Sequence, residues 1–249
     1  MDPVRSLLAP ITCAAALGCA PASDLDLAEE ATEAQDDAVY AASKSLWKTK
    51  TIRVCWQNGS VANETERGWV RDAVAGSWEA VSTIDFVGWE ACGSQDGSSI
   101  RIQIADAGPH VKALGSNLAG RWDGMVLNFT FQNWSPSCKN NREYCIRTIA
   151  IHEFGHALGF AHEQNRPDTP TWCDAEQGSS GDVVVGTWDE DSVMNYCNPH
   201  WNGAGVLSEK DVFAMQLLYG DAGLGGFIVN DRSDKCLDVE GASFEPGAA

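Results

Sequence analysis

Twelve residues in the second half of the chain restrict it more than any other stretch: His152-Glu153-Phe154-Gly155-His156-Ala157-Leu158-Gly159-Phe160-Ala161-His162-Glu163, or HExxHxxGxxHE. At helical pitch, residues four apart differ by roughly 40° about the axis, so the rings of His152 and His156 leave one face of a helix and can hold one ion. Glu153 lies beside that face. His162 can join them only if the chain changes direction first, and Gly159 can take the backbone angles that turn it back. Three neutral imidazoles with one position left open are the ligand set of catalytic rather than structural zinc. A bare HExxH arises by chance on ordinary helices. Gly159, His162 and Glu163 at these offsets make the pattern far more specific, and Ser192-Val193-Met194-Asn195-Tyr196 supplies the methionine-containing turn that belongs downstream of it.

HExxHxxGFxHE followed by SxMxY resembles the astacin branch of the metzincin zinc endopeptidases, in which Glu directly follows the third His. The resemblance covers most of Leu46 to Gly220. It implies an α/β (α+β) fold, with a twisted mixed sheet and two helices above an active-site cleft, and an irregular lower subdomain with a terminal helix below it. It also implies one catalytic Zn²⁺ on His152, His156 and His162, Glu153 as general base, Met194 beneath the imidazoles, and Tyr196 as a hydrogen-bond donor to the oxyanion. Two departures stand beside it: the interval from His162 to Met194 is short for an astacin, and the cysteines follow no recognised pattern of the branch. A matrixin-like or other metzincin subgroup is therefore an alternative. A different class of alternative is a carbohydrate-targeted adhesin in which the zinc domain is secondary.

Residues 1–22 read as an export signal, with Arg5 as the positive end, Leu7 to Leu17 as a short apolar core and Ala20-Pro21-Ala22 as a small-residue cleavage site. Ala16-Leu17-Gly18-Cys19 also resembles a lipoprotein box, so secretion and a surface lipoprotein anchored through Cys19 both stand as readings. Residues 23–45 form an acidic propeptide or linker with little to bury. Residues 46–222 are the peptidase domain. Residues 223–249 are a linker followed by Lys235-Cys236-Leu237-Asp238-Val239, which resembles the opening of a truncated ricin-type β-trefoil and would add a glycan to the protein or peptide substrate as partner. The formal charge of -18 argues against nucleic acid as a partner, because phosphates would be repelled.

Within the domain, Ile52, Val54 and Trp56 alternate with polar neighbours and predict a strand. Asn63 and Glu66 predict a capped helix start, and Val70, Ala73, Val74, Ser77, Trp78 and Val81 share its buried face. Shorter strands are expected around Ile84 to Val87 and over Ile100 to Ile104. The alternation of Met125, Leu127, Phe129 and Phe131 predicts a strand, by its residues alone another core strand; the metzincin resemblance implies that it is an antiparallel edge strand at the cleft, where an extended peptide could add through main-chain hydrogen bonds. Arg166 to Asp191 should be irregular surface, and His110 and His200 solvated loop residues. Ser208 with Asp211 predicts a capped helix that Gly220 ends. Apart from Cys13 and Cys19, sequence neighbourhood pairs Cys55 with Cys92, Cys138 with Cys145 and Cys173 with Cys197, leaving Cys236. The absence of a CxxC pair argues against a second zinc site.

Overall fold

In the computed structural model the described residues are 39–94, 96–173, 176–222, 229–230 and 235–236. Residues 1–22, read above as an export signal, most of the acidic segment and most of the 223–249 tail lie outside them. Strand β1 (Val39–Ala41) opens the described chain and β2 (Thr51–Trp56) follows. Helix α1 (Glu64–Val74) continues into a wider π-helical turn over Ala75–Glu79. Then come β3 (Asp85–Ala91), β4 (Ile100–Ile104), β5 (His110–Val111) and β6 (Met125–Leu127). Helix α2 (Arg142–Leu158), β7 (Val183–Val185) and α3 (Glu209–Tyr219) complete the set used below.

The main sheet has the order β3-β2-β4-β6-β5, with β2 parallel to β3 and β4, β4 parallel to β6, and β5 antiparallel to β6. Ile52, Val54, Trp56, Ile100 and Ile102 are all buried as their alternation requires, and Cys55 is buried too because it is joined to Cys92. Trp78 packs on the Phe160 ring and donates from Nε1 to Ile151 O at 2.8 Å, which ties the π-helical turn to the middle of α2. The other two expected disulfides are present, Cys138–Cys145 and Cys173–Cys197. The mixed sheet, its helices and the irregular region beyond α2 are the α+β arrangement that the sequence predicts.

Three expectations change. The strand over 125–131 stops at Leu127, and β6 is paired on both edges, so the antiparallel edge strand is β5. Asn128 accounts for the early stop: its side-chain oxygen accepts from Thr130 N and Phe131 N, a local turn that competes with extended backbone. Asn63 pairs with Ser60 rather than with Glu66, in a capping box on the short 3-10 turn before α1. Glu66 instead forms an ion pair with Arg142 at the start of α2. The third change concerns 166–191, which contains β7, antiparallel to β1, and a fully buried arginine, Arg166.

Strand β1 also touches the turn after α2. Ala42 N donates to Gly159 O and Ala161 N donates to Tyr40 O, both at 3.0 Å, so residues 40–42 run between the 159–161 turn and β7. Residues 39–45 are thus hydrogen-bonded parts of the packed domain and not only a segment preceding it.

Candidate metal centre

Helix α2 carries the first two histidines and is buried on almost every side from Cys145 onward. It ends in a Schellman motif: Gly159 sits at φ 104°, Gly159 N donates to His156 O and Phe160 N to Gly155 O. A side chain other than glycine would be strained there, and this left-handed residue is what brings His162 back towards the helix. The next free carbonyls are also used. Ala157 O accepts from Trp47 Nε1 at 2.7 Å, and Leu158 O accepts from the Tyr219 hydroxyl, so both ends of the domain fasten the end of α2.

The Nε2 atom of His162 lies 3.2 Å from that of His152 and 3.0 Å from that of His156. Tetrahedral ligands about 2.0–2.1 Å from one zinc ion would stand roughly 3.3 Å apart, so these two spacings suit such an ion, and all three ligand atoms lie within 4.8 Å of one another. Each ring has its other nitrogen occupied by a backbone carbonyl. His152 Nδ1 meets Val193 O at 2.7 Å, His156 Nδ1 meets Phe160 O at 2.9 Å, and His162 Nδ1 meets Gln177 O at 2.9 Å. A carbonyl only accepts, so every Nδ1 carries the proton and every Nε2 presents a lone pair to the centre. Burial, reinforced by the neighbouring rings, lowers the pKa of His152 to about 3 and that of His156 well below normal; burial lowers that of His162 too. The rings are neutral at physiological pH, as metal binding requires.

Glu153 is buried, and its Oε2 has no hydrogen-bond partner among the described residues. Burial pushes its pKa up to about 8, and a divalent cation at the triad would draw it down again. Met194 lies under the site: a Cβ built on Gly155 would collide with its sulfur, so the glycine inside the histidine motif makes room for the thioether. Tyr196 is 44% exposed and is therefore not a core tyrosine. Its ring lies over His152 at 5.2 Å and beside His162 at 4.5 Å, and partial burial with the nearby Glu153 charge pushes its pKa up to about 12. An open cleft of about 290 Å³ borders Glu153, His156, His162 and Tyr196, between residues 109–114 on one side and 177–179 on the other. His110 thus sits on the edge strand lining the cleft, while His200 is exposed on a loop.

Sequence reasoning brought together His152, Glu153, His156, His162, Met194 and Tyr196, and the structure places all six at one locus. It missed β5 and the three carbonyls that orient the rings. A two-residue strand has no readable period, and a backbone carbonyl has no residue identity, so neither left a signal to find.

Comparison with known proteins agrees with this picture. Residues 135–182 match the model of the Astacin peptidase family, a segment that includes α2 from its first residue and all three histidines. Among solved structures, myroilysin is similar at 18% sequence identity and a TM-score of 0.51, covering 72% of this chain and 98% of that one. High choriolytic enzyme 1, a hatching enzyme zinc-protease from Oryzias latipes (medaka fish), is 18% identical over 72% of this chain and 96% of its own, with a TM-score of 0.47. No curated protein sequence matches the chain. The family match around the histidine triad makes the chain similar to the astacin metalloendopeptidases, and the triad could hold a metal ion. The segment with the three histidines is the one that resembles astacins in sequence, while the likeness to myroilysin extends to the fold.

Proposed function

We propose that the chain is a secreted endopeptidase that uses one zinc ion on His152, His156 and His162 to hydrolyse extended polypeptide. The convergence of three Nε2 lone pairs, each aimed by a carbonyl on the far side of its ring, carries this reading. Bound there, zinc supplies a Lewis acid that activates water at neutral pH and polarises the substrate carbonyl. Glu153, with its unpartnered buried oxygen next to the triad, takes the proton from the attacking water and delivers it to the leaving amine. The Tyr196 hydroxyl, kept protonated by its raised pKa, donates to the developing oxyanion.

Substrate lies along β5. This strand ends the sheet, and no described strand pairs with its outer edge, so a peptide can add to it antiparallel and cross the triad. Main-chain pairing of this kind holds many sequences alike. The three disulfides support an oxidising compartment, and no helix among the described residues is long and apolar enough to cross a membrane. Detergent-phase partitioning of the expressed protein separates free secretion from an anchor on Cys19.

The test is digestion of casein and of a mixed peptide library with and without chelator, beside Glu153→Gln. Glu153→Gln should retain zinc and lose about 10²–10⁴-fold in kcat, the usual worth of a general base. Near-full activity in that variant, or digestion by the parent that a chelator leaves unchanged, overturns the reading.

A further inference from the structure

The tetrapeptide after His162 is buried throughout: Glu163 is 5% exposed, Gln164 2%, Asn165 7% and Arg166 3%. Each side chain takes hold of a different stretch of main chain. Glu163 accepts from Asp189 N at 2.9 Å, Gln164 accepts from Tyr196 N at 3.0 Å, and Arg166 donates to Gly186 O at 2.8 Å. Asn165 grips the cleft wall itself. Its Oδ1 accepts from Gln177 N at 2.9 Å and its Nδ2 donates to Gln177 O at 2.6 Å. The backbone N–H determines which end of the amide is oxygen, so the assignment follows from the contacts.

Gln177 O is the carbonyl that also accepts from His162 Nδ1 at 2.9 Å. A carbonyl oxygen has two lone pairs, and here one serves the third histidine while the other serves Asn165. Gly178, at φ 69°, then lays the chain against the His162 ring. One buried amide therefore determines where residues 177–179 stand, and these residues are at once the partner of the third imidazole and one wall of the cleft.

We propose that Asn165 is a positioning residue that couples retention of the metal to the shape of the substrate cleft, by clamping Gln177 across the third histidine. The proposal rests on the zinc reading above. Without the clamp, the 177–179 wall is free to leave His162, whose ring then loses the acceptor that fixes its tautomer and direction. Loss of such an outer partner typically costs about 10- to 100-fold in metal affinity.

The experiment uses the full chain and measures zinc affinity by competition with a chromophoric chelator, followed by kcat and KM on a quenched-fluorescence peptide at saturating zinc. Asn165→Leu keeps the volume and loses both bonds to Gln177 and the longer one to Ser179 O; its zinc Kd should rise about 10- to 100-fold, and KM should rise several-fold while kcat changes less. Asn165→Asp keeps the acceptor for Gln177 N and loses the donor to Gln177 O, and should also bind zinc more weakly than the parent. A folded Asn165→Leu with parental zinc Kd and KM overturns the proposal, whereas a parent that binds no zinc overturns the functional reading beneath it. Should Asn165→Leu fail to fold, amide exchange in the parent decides: the Gln177 N–H should be protected, and exchange at the rate of an open loop refutes the clamp.

Discussion

On the sheet side of the cleft, β2, β3, β4 and β6 pair in ladders over a shared apolar core that includes Ile52, Val54, Trp56, Ile100, Ile102 and Leu127. On the other side, the described residues of 163–198 contain a single three-residue strand, and side chains replace the ladder. The buried run from Glu163 to Arg166 reaches the backbone of Gln177, Val185, Gly186, Asp189 and Tyr196, and Asn195 adds another bond from Nδ2 to Asp189 O at 2.7 Å. A ladder spreads its stability over many equivalent bonds, whereas a hub concentrates it in a few buried polar groups, each costly to leave unpaired. The hub also occupies the position where the third ligand must be held, directly after His162. Irregular chain can therefore be positioned as firmly as a sheet while keeping loops free to shape the cleft.

Arg166→Met separates the two regions most severely. It leaves Glu163 buried without its cation, 3.3 Å away in the parent, and frees the carbonyls of Val185 and Gly186. The expected cost is about 3–5 kcal/mol. In hydrogen exchange the amides of 176–198 should lose protection while those of β2 and β4 keep most of theirs. Equal loss on both sides would abolish the distinction.

Ile102→Ala is the counterpart on the ladder side. Deleting most of a fully buried side chain from β4 should cost about 2–5 kcal/mol in denaturant unfolding. The loss should appear in both regions, because the lower region is docked on the helix that the sheet supports. Selective loss in the lower region would contradict this.

Gly155→Ala probes the seam between them. The new methyl meets the Met194 sulfur, and overpacking of this kind costs about 1–3 kcal/mol. Because Glu163 N donates to Met194 O, the displaced turn should also weaken zinc binding in a chelator competition. An unchanged melting temperature together with unchanged zinc affinity would show that the methionine has room to move.

The last effect is one of pH. Asp211 caps α3 and holds the turn before Met194 through Ser192 Oγ and Val193 N, and burial pushes its pKa from 3.8 up to about 6. The folded state then binds this proton more tightly than the unfolded chain. The contribution to stability is full below about pH 3.8 and is lost as pH rises through about 6. In chelator-treated protein, Asp211→Asn should flatten that part of the stability profile, whatever its absolute stability. A profile identical in slope would assign the pH dependence elsewhere.

Much of the site was legible because its information is local. The i, i+4 spacing of His152 and His156, the turn at Gly159, the cap formed by Ser208 with Asp211 and the Cys138–Cys145 disulfide all follow from residues close in sequence. The edge strand was misplaced because Met125 to Phe131 alternates over a longer run than His110–Val111, and only the turn built by Asn128 cuts that run short. A hydrophobic period reports which face is buried, and it does not report which strand ends up at the margin of a sheet.

The chain's own order of residues settles which atoms can bind a metal and that the helix must turn back to assemble them. Tertiary structure alone settles how those atoms are aimed. The acceptors that orient the imidazoles are carbonyls of Phe160, Gln177 and Val193, two of them far along the chain from the ring they serve. Any residue offers such a carbonyl, so folding, and not residue type, decides which of them faces a histidine.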